Sequence, residues 1–181
     1  CFMQRCIDFV YENCSYGMIN LPSWPFLTSF EELKKEIISN SHIDSLLHMG
    51  RGIFGIDFGS VAFTISKSSS STKGFYFRLH QRNFQHIYYN HIEQLFLRAK
   101  KKPAYRYDFS EYRDSEGVSE IPFESNKSGM QLFYEINQKD YEKIPGYTIA
   151  YWLSPKMLET IDRNKKVIDI CEPKAGLQTG K

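Results

Sequence analysis

The chain has 181 residues, 41% of them hydrophobic and 15% aromatic, enough for one domain with a substantial core or one domain plus a smaller appendage. Its 23 basic residues face 21 acidic ones, so a net charge of +2 supplies no global field for nucleic acid or a membrane surface, and any basic patch must be local. No apolar run reaches the roughly 18 residues of a membrane span, and Cys1, Cys6, Cys14 and Cys171 lack zinc-ligand spacing, so the expectation is a reduced, cytoplasmic protein with no membrane partner.

In the first segment Phe2, Cys6, Phe9 and Val10 recur at helical spacing with Met3 and Ile7 beside them, which predicts a helix with a broad buried face ending near Asn13 to Tyr16. Gly17 releases the chain into a short apolar strand, Met18 to Leu21, which Pro22 and Pro25 stop. Thr28 and Ser29 each precede a glutamate by three residues, Glu31 and Glu32, so two capping boxes are available to a helix from about Ser29 to Ser39. Ile43 to Met49 then reads as a strand, and Ser60 to Ser66 alternates Val61, Phe63 and Ile65 against small or polar residues as a half-buried strand does. This alternation of helices and strands predicts helices packed on a mostly parallel sheet, with Ser60 to Ser66 turned antiparallel.

Between those two strands stand Gly50, Gly52, Gly55 and Gly59, together with Arg51, Ile53, Phe54, Ile56 and Phe58. Four glycines in so short a crossing serve positive φ or close backbone approach, and the apolar bulk is more than a solvated loop carries. A binding lip and a wide connection packed into the core both account for it.

Lys67 to Gly74 is a serine-rich turn leading into the alternating run Phe75, Phe77 and Leu79, which predicts a hairpin. A helix is expected from Phe84 to Lys100, stopped by Pro103. The basic triplet Lys100, Lys101 and Lys102 at its end suits the helix dipole better than it argues for a phosphate patch. From Ala104 to Ser128 no period stands out. Leu132, Tyr134 and Ile136 alternate as a strand, Ile144-Pro145-Gly146 turns, Ile149 to Leu153 runs apolar, and Ser154-Pro155 opens a last helix.

Familiar catalytic signatures are missing. His42, His48, His80, His86 and His91 include no metal-ligand pair on one helical face. Gly-Arg-Gly-Ile-Phe-Gly at positions 50–55 precedes a strand, whereas a dinucleotide fingerprint precedes a helix. Asn20-Leu21-Pro22-Ser23-Trp24 imitates an amine-binding loop but lacks the adjacent prolines, and is read as a proline-guarded strand end.

Separate blocks in the same order, YGMINLPSW from Tyr16, FEEL from Phe30, HMGRGIFG, SVAFTISK, IPGYTIAYWLS and the terminal GLQTG, together resemble the large adenine-specific DNA methyltransferases of BREX-type phage defence and their type II restriction-modification relatives. The resemblance implies an α/β fold, a partial Rossmann-like class I methyltransferase sheet over residues 1–82, with an α+β extension over residues 83–181 leading to a target-recognition region. It implies an S-adenosylmethionine-dependent N6-adenine methyltransferase acting on double-stranded DNA, with Arg51, Lys100, Lys101 and Lys102 as the candidate DNA contacts. In such enzymes the cofactor fingerprint and the Asn-Pro-Pro-Tyr catalytic loop come earlier and this sequence holds neither, so the segment is expected to be an inactive piece of a longer parent that binds no cofactor itself. By the same resemblance Phe54 matches the aromatic that stacks on the flipped-out adenine, with Gly52 and Gly55 letting the loop approach the nucleotide. Truncating a sheet exposes its edge, so self-association through the first helix and strand is expected. A non-catalytic DNA-binding or interaction module is the alternative.

Overall fold

A computed structural model of the chain describes residues 2–54, 58–68, 73–81, 87–112, 120–165 and 169–171. The first helix, α1 (Phe2–Phe9), is followed by strand β1 (Ser15–Asn20), a 3-10 turn (Thr28–Phe30), α2 (Glu31–Asn40), β2 (His42–Met49), β3 (Ser60–Ser66) and β4 (Lys73–Arg78). After these come α3 (Tyr89–Lys101), two short strands β5 (Arg106–Tyr107) and β6 (Met130–Gln131), then β7 (Phe133–Asn137) and, past two further 3-10 turns, α4 (Pro155–Arg163).

One five-stranded sheet, in the order β1-β3-β2-β4-β7, organises the chain. Strand β3 runs antiparallel between β1 and β2, β4 lies parallel on the other side of β2, and β7 closes the far edge antiparallel to β4. The sheet therefore continues past residue 83, because β7 comes from the second half of the sequence. β5 and β6 form a separate two-stranded ribbon.

Strand alternation gives this sheet a core on each face. On one face Ile43, Leu46, Val61, Phe63, Ile65 and Tyr76 meet Met3 and Ile7 of α1 and Ile37 and Ile38 of α2. On the other, Met49, Phe77 and Leu79 meet Ile92, Leu95 and Ala99 of α3, the face that its periodicity marks. Trp24 packs edge-on against Phe63 at 4.9 Å and binds the first loop to the first core.

Side chains distant in sequence complete the hydrogen bonding at the end of α2. Gln138, itself buried, donates from Nε2 to the carbonyls of Ser41 (2.6 Å) and Ile38 (2.9 Å), while its Oε1 accepts from the Ile43 amide at 2.8 Å. One amide thus serves the last turn of a helix and the start of the adjoining strand. At the other end of α2 the buried Lys34 donates to the Leu27 carbonyl at 3.0 Å, and burial lowers its pKa against the opposing pull of Glu31.

Several expectations are corrected. Strands β1, β2 and β4 do run in one direction, but β3 and β7 intervene or close the edge, so that β2 with β4 is the single parallel pairing among the described strands. The run at Phe75 makes no hairpin with β3: β4 passes it and pairs with β2, where Tyr76, Phe77 and Leu79 find cover on both faces of the sheet. Gly74 permits that pairing, since a Cβ there would stand 2.3 Å from the Ile43 carbonyl oxygen. Helix α1 is shorter than predicted and buries the i, i+4 pair Met3 and Ile7, leaving Phe2 and Phe9 exposed. Neither capping box forms, because Thr28 and Ser29 are drawn into the 3-10 turn and α2 starts behind Phe30, with no side-chain cap. Helix α3 begins at Tyr89, not at Phe84, which lies outside the described residues. By contrast Ser154 accepts from the Met157 amide ahead of Pro155, as its position predicts.

Candidate functional site

Parallel strands point their carboxyl ends to one edge of a sheet, and ligand crevices form there. Here β1, β2 and β4 end at Asn20, Met49 and Arg78, and beyond those ends lies an open cavity of about 690 Å³, within the usual range of roughly 300–1,000 Å³ for small-molecule sites. Its first wall is the segment after β1, with Leu21, Pro22, Phe26 and Leu27; its second is Phe58 and Gly59, just before β3. His48 from β2, Arg78 from β4 and His80 just beyond it line the strand ends, and Trp152 completes the lining.

These side chains are held by one another. The His48 and His80 rings meet edge-on at 4.1 Å, Phe26 lies 5.1 Å from His48 and 5.5 Å from Trp152, and the Arg78 guanidinium sits 5.5 Å above the Trp152 ring. His48 Nδ1 shares a 3.1 Å hydrogen bond with the Tyr151 hydroxyl, and His80 Nδ1 lies 3.0 Å from the Gln81 carbonyl, to which it donates as a neutral ring. Burial, reinforced by His80 and Arg78, pushes His48 down to about 2, and burial likewise lowers His80. Both rings are neutral at neutral pH, so Arg78 supplies the cavity's positive charge.

The residues singled out from sequence are placed as follows. Gly52 adopts φ +84°, the left-handed region that favours glycine, and Ile53 tucks into the second core. Phe54 is 56% exposed and does not line the cavity, whereas Phe58 from the same crossing is 64% exposed and does. Gly55 lies outside the described residues. Arg51 is half-buried, and Lys100, Lys101 and Lys102 are exposed at the end of α3; none of the four lines the cavity. Among the described residues no group of three His, Cys, Asp or Glu side chains could hold a metal, and no helix is long and apolar enough to cross a membrane.

Sequence reasoning missed His48, Arg78, His80 and Trp152 as a group. Their convergence depends on β4 passing β3 to lie beside β2, and no local pattern encodes that step. The available signal was positional: each of the first three falls at or just beyond the carboxyl end of a strand.

The sheet order and the strand-end cavity can be set beside known proteins. Over 185 aligned residues the chain is 29% identical to the adenine-specific methyltransferase PglX of Lacticaseibacillus casei (strain Zhang), an alignment covering 99% of this chain. It is also 28% identical, over 83% of its length, to the adenine-specific methyltransferase BrxX of Escherichia coli O9:H4 (strain HS). Its relatives are adenine-specific methyltransferases. The chain spans only 13% of the first of these relatives and 10% of the second. Among solved structures, the EcoKI M protein of a type I restriction enzyme superposes over 90% of this chain and 42% of its own, with a TM-score of 0.51 at 10% identity, which is a likeness of fold. No family model matches the sequence.

Proposed function

We propose that this chain is the later part of the catalytic domain of an S-adenosylmethionine-dependent DNA adenine-N6 methyltransferase, a DNA-modifying enzyme of phage defence or restriction-modification, and that its crossing from β2 to β3 forms one side of the target-base pocket. One observation carries the reading: an antiparallel β3 stands between the co-directional β1 and β2, and the glycine-punctuated crossing that joins β2 to β3 presents an exposed Phe54 at the edge of the sheet where ligands bind. An extruded adenine loses its stacking in the duplex and needs an aromatic face to recover it. In this reading residues 1–82 supply most of the methyltransferase sheet, and residues 83–181 add its edge strand β7 and lead toward target recognition, with Arg51 and the Lys100–Lys102 triplet as DNA contacts.

The segment does not make a cofactor site by itself. The sequence holds neither the glycine-rich cofactor loop nor the Asn-Pro-Pro-Tyr loop of the family it resembles. Cofactor binding and the amine-activating loop therefore fall to other segments of the parent, and the isolated chain is inactive. The outer edge of β1 is unpaired among the described residues, with Ile19, Phe2 and Phe9 exposed, so the isolated chain self-associates through this strand and α1.

The deciding experiment is Phe54→Ala in the parent enzyme. Loss of one stacking contact worth about 1–3 kcal/mol lowers kcat/KM on duplex DNA by about ten- to a hundredfold, leaves cofactor affinity unchanged, and is largely rescued by Tyr or Trp. Undiminished methylation by the Ala variant overturns the assignment. A parent that binds DNA without methylating it returns the chain to the non-catalytic alternative.

A further inference from the structure

The strand-end cavity has features that the stacking role of Phe54 leaves unused. Arg78 is half-buried, its guanidinium packs on Trp152, and no carboxylate pairs with it among the described residues. A cation drawn part-way into an apolar cavity without a counter-charge loses hydration, and the Trp152 ring returns only part of that loss. The arrangement is complementary to an anion. The remaining lining is mostly apolar and rich in rings: Phe26 packs on Trp152, Phe58 is exposed, and the edge-on rings of His48 and His80 stand at the strand ends, among Leu21, Pro22 and Leu27. A ligand that satisfies both features is planar, aromatic and anionic.

We propose that the cavity is a nucleotide subsite that takes one unstacked DNA nucleotide beside the target adenine, its base against the aromatic walls and its phosphate on Arg78. The choice of a neighbouring nucleotide rests on the methyltransferase reading above; the nucleotide chemistry rests on the cavity alone. Phe54 does not line this space and Phe58 does, so the two aromatics of one crossing address two successive positions. An open cavity of about 690 Å³ admits a whole nucleotide, and a guanidinium beside aromatic faces is the usual partner for a phosphate joined to a base. The residues that build it come from the segment after β1, β2, the crossing to β3, β4 and its end, and Trp152, so the part of the chain after residue 150 takes part in reading the DNA.

The test titrates the 181-residue chain with deoxyadenosine monophosphate, deoxyadenosine and inorganic phosphate, following Trp152 fluorescence against a Trp152→Phe control and confirming by calorimetry. Deoxyadenosine monophosphate is expected to bind at least about tenfold tighter than deoxyadenosine, the effect of one charge-assisted contact. Arg78→Met should abolish that difference while leaving deoxyadenosine binding within about twofold, and Phe58→Ala should weaken both ligands; Lys139→Met, an exposed charge outside the cavity, should change neither. Phe58 is largely exposed, so its variant retains the fold, and near-ultraviolet circular dichroism verifies the Arg78 variant. Equal affinity for the nucleotide and the nucleoside, an Arg78→Met chain that still prefers the nucleotide, or no binding by any of the three ligands overturns the proposal. Nucleotide binding through Arg78 in a protein whose parent proves not to be a methyltransferase keeps the subsite and discards the enzymatic reading; methylation that depends on Phe54, with no nucleotide binding in this cavity, does the reverse.

Discussion

Replacing Gln138 by Ala should be among the most damaging single substitutions away from the apolar cores. The amide makes three good hydrogen bonds inside the protein, to Ser41, Ile38 and Ile43, and Ile43 itself is fully buried. Deletion leaves a buried N–H without its acceptor and removes the donor from two carbonyls, and each orphaned group costs about 1–3 kcal/mol. Taking the lower part of that range, since a carbonyl keeps a second lone pair and the site can relax, the expected loss is roughly 3–5 kcal/mol out of a typical total of about 5–15 kcal/mol. For a chain of this length that corresponds to a fall in Tm of roughly 10 °C, at about 2–4 °C per kcal/mol. Urea denaturation followed by circular dichroism measures it, and hydrogen exchange at the Ile43 amide reports the local effect. Gln138→Glu offers a sharper control: an ionised carboxylate still accepts from Ile43 but turns a negative charge toward two carbonyls. Its stability relative to Gln138→Ala should improve as the pH is lowered and the carboxyl becomes a donor. A loss below about 1 kcal/mol for Gln138→Ala, with Ile43 exchange unchanged, would refute the claim that this side chain joins α2 to β2.

Other outcomes follow from the same geometry. The pKa of His48 is depressed in the fold, so the unfolded chain binds the extra proton; stability is complete above the unfolded value near 6.5 and falls as the pH drops below it, by up to about 1.4 kcal/mol per pH unit for that one ring. Urea midpoints between about pH 7 and pH 5 should show this slope, and His48→Asn should flatten it. Gly74→Ala should destabilise by about 1–3 kcal/mol or more, since the added methyl meets the Ile43 backbone, whereas Gly17→Ala, with its nearest contact at 3.5 Å, should be nearly neutral; thermal melts separate them. Light scattering on the isolated chain should show concentration-dependent dimers through the β1 edge, and Ile19→Lys should shift them toward monomer.

How much of the fold is legible in the sequence depends on the range of the interactions. Ile43 to Met49 and Ser60 to Ser66 are readable as strands because alternation is a local record of a two-sided environment, and Ser154-Pro155 is readable because a helix cap is complete within one turn. The buried face of α1 is not, because two overlapping stripes fit its periodicity and only contact with α2 and the sheet selects Met3 and Ile7. Thr28 and Ser29 carry a valid capping signal that loses to a 3-10 turn, whose preceding Leu27 carbonyl is held from outside by Lys34. The position of β4 is beyond any local pattern: a serine-rich turn before an alternating run favours a hairpin, and the alternative is decided by the open edge of β2 and the close approach that Gly74 allows. The crossing at 50–59 announces itself by its glycines, but the cavity beside it does not, since His48, Arg78, His80 and Trp152 meet only after that choice of edge.

The Gln138 bond to Ile43 spans 95 residues, and this bears on the order in which the chain folds. As synthesis proceeds, β2 and β3 can pair early across their short crossing, yet the end of α2 and the start of β2 keep unpaired backbone groups until Gln138 emerges. Contacts of such long sequence separation form slowly, because loop closure has to precede them. Tyr151 and Trp152 lie later still, so the last wall of the cavity is laid down after the sheet is locked. A nascent chain halted before residue 138 would hold all five strands of the sheet yet leave the junction of α2 and β2 without its Gln138 bonds, a natural target for chaperones, and its strand-end cavity would lack the Trp152 wall.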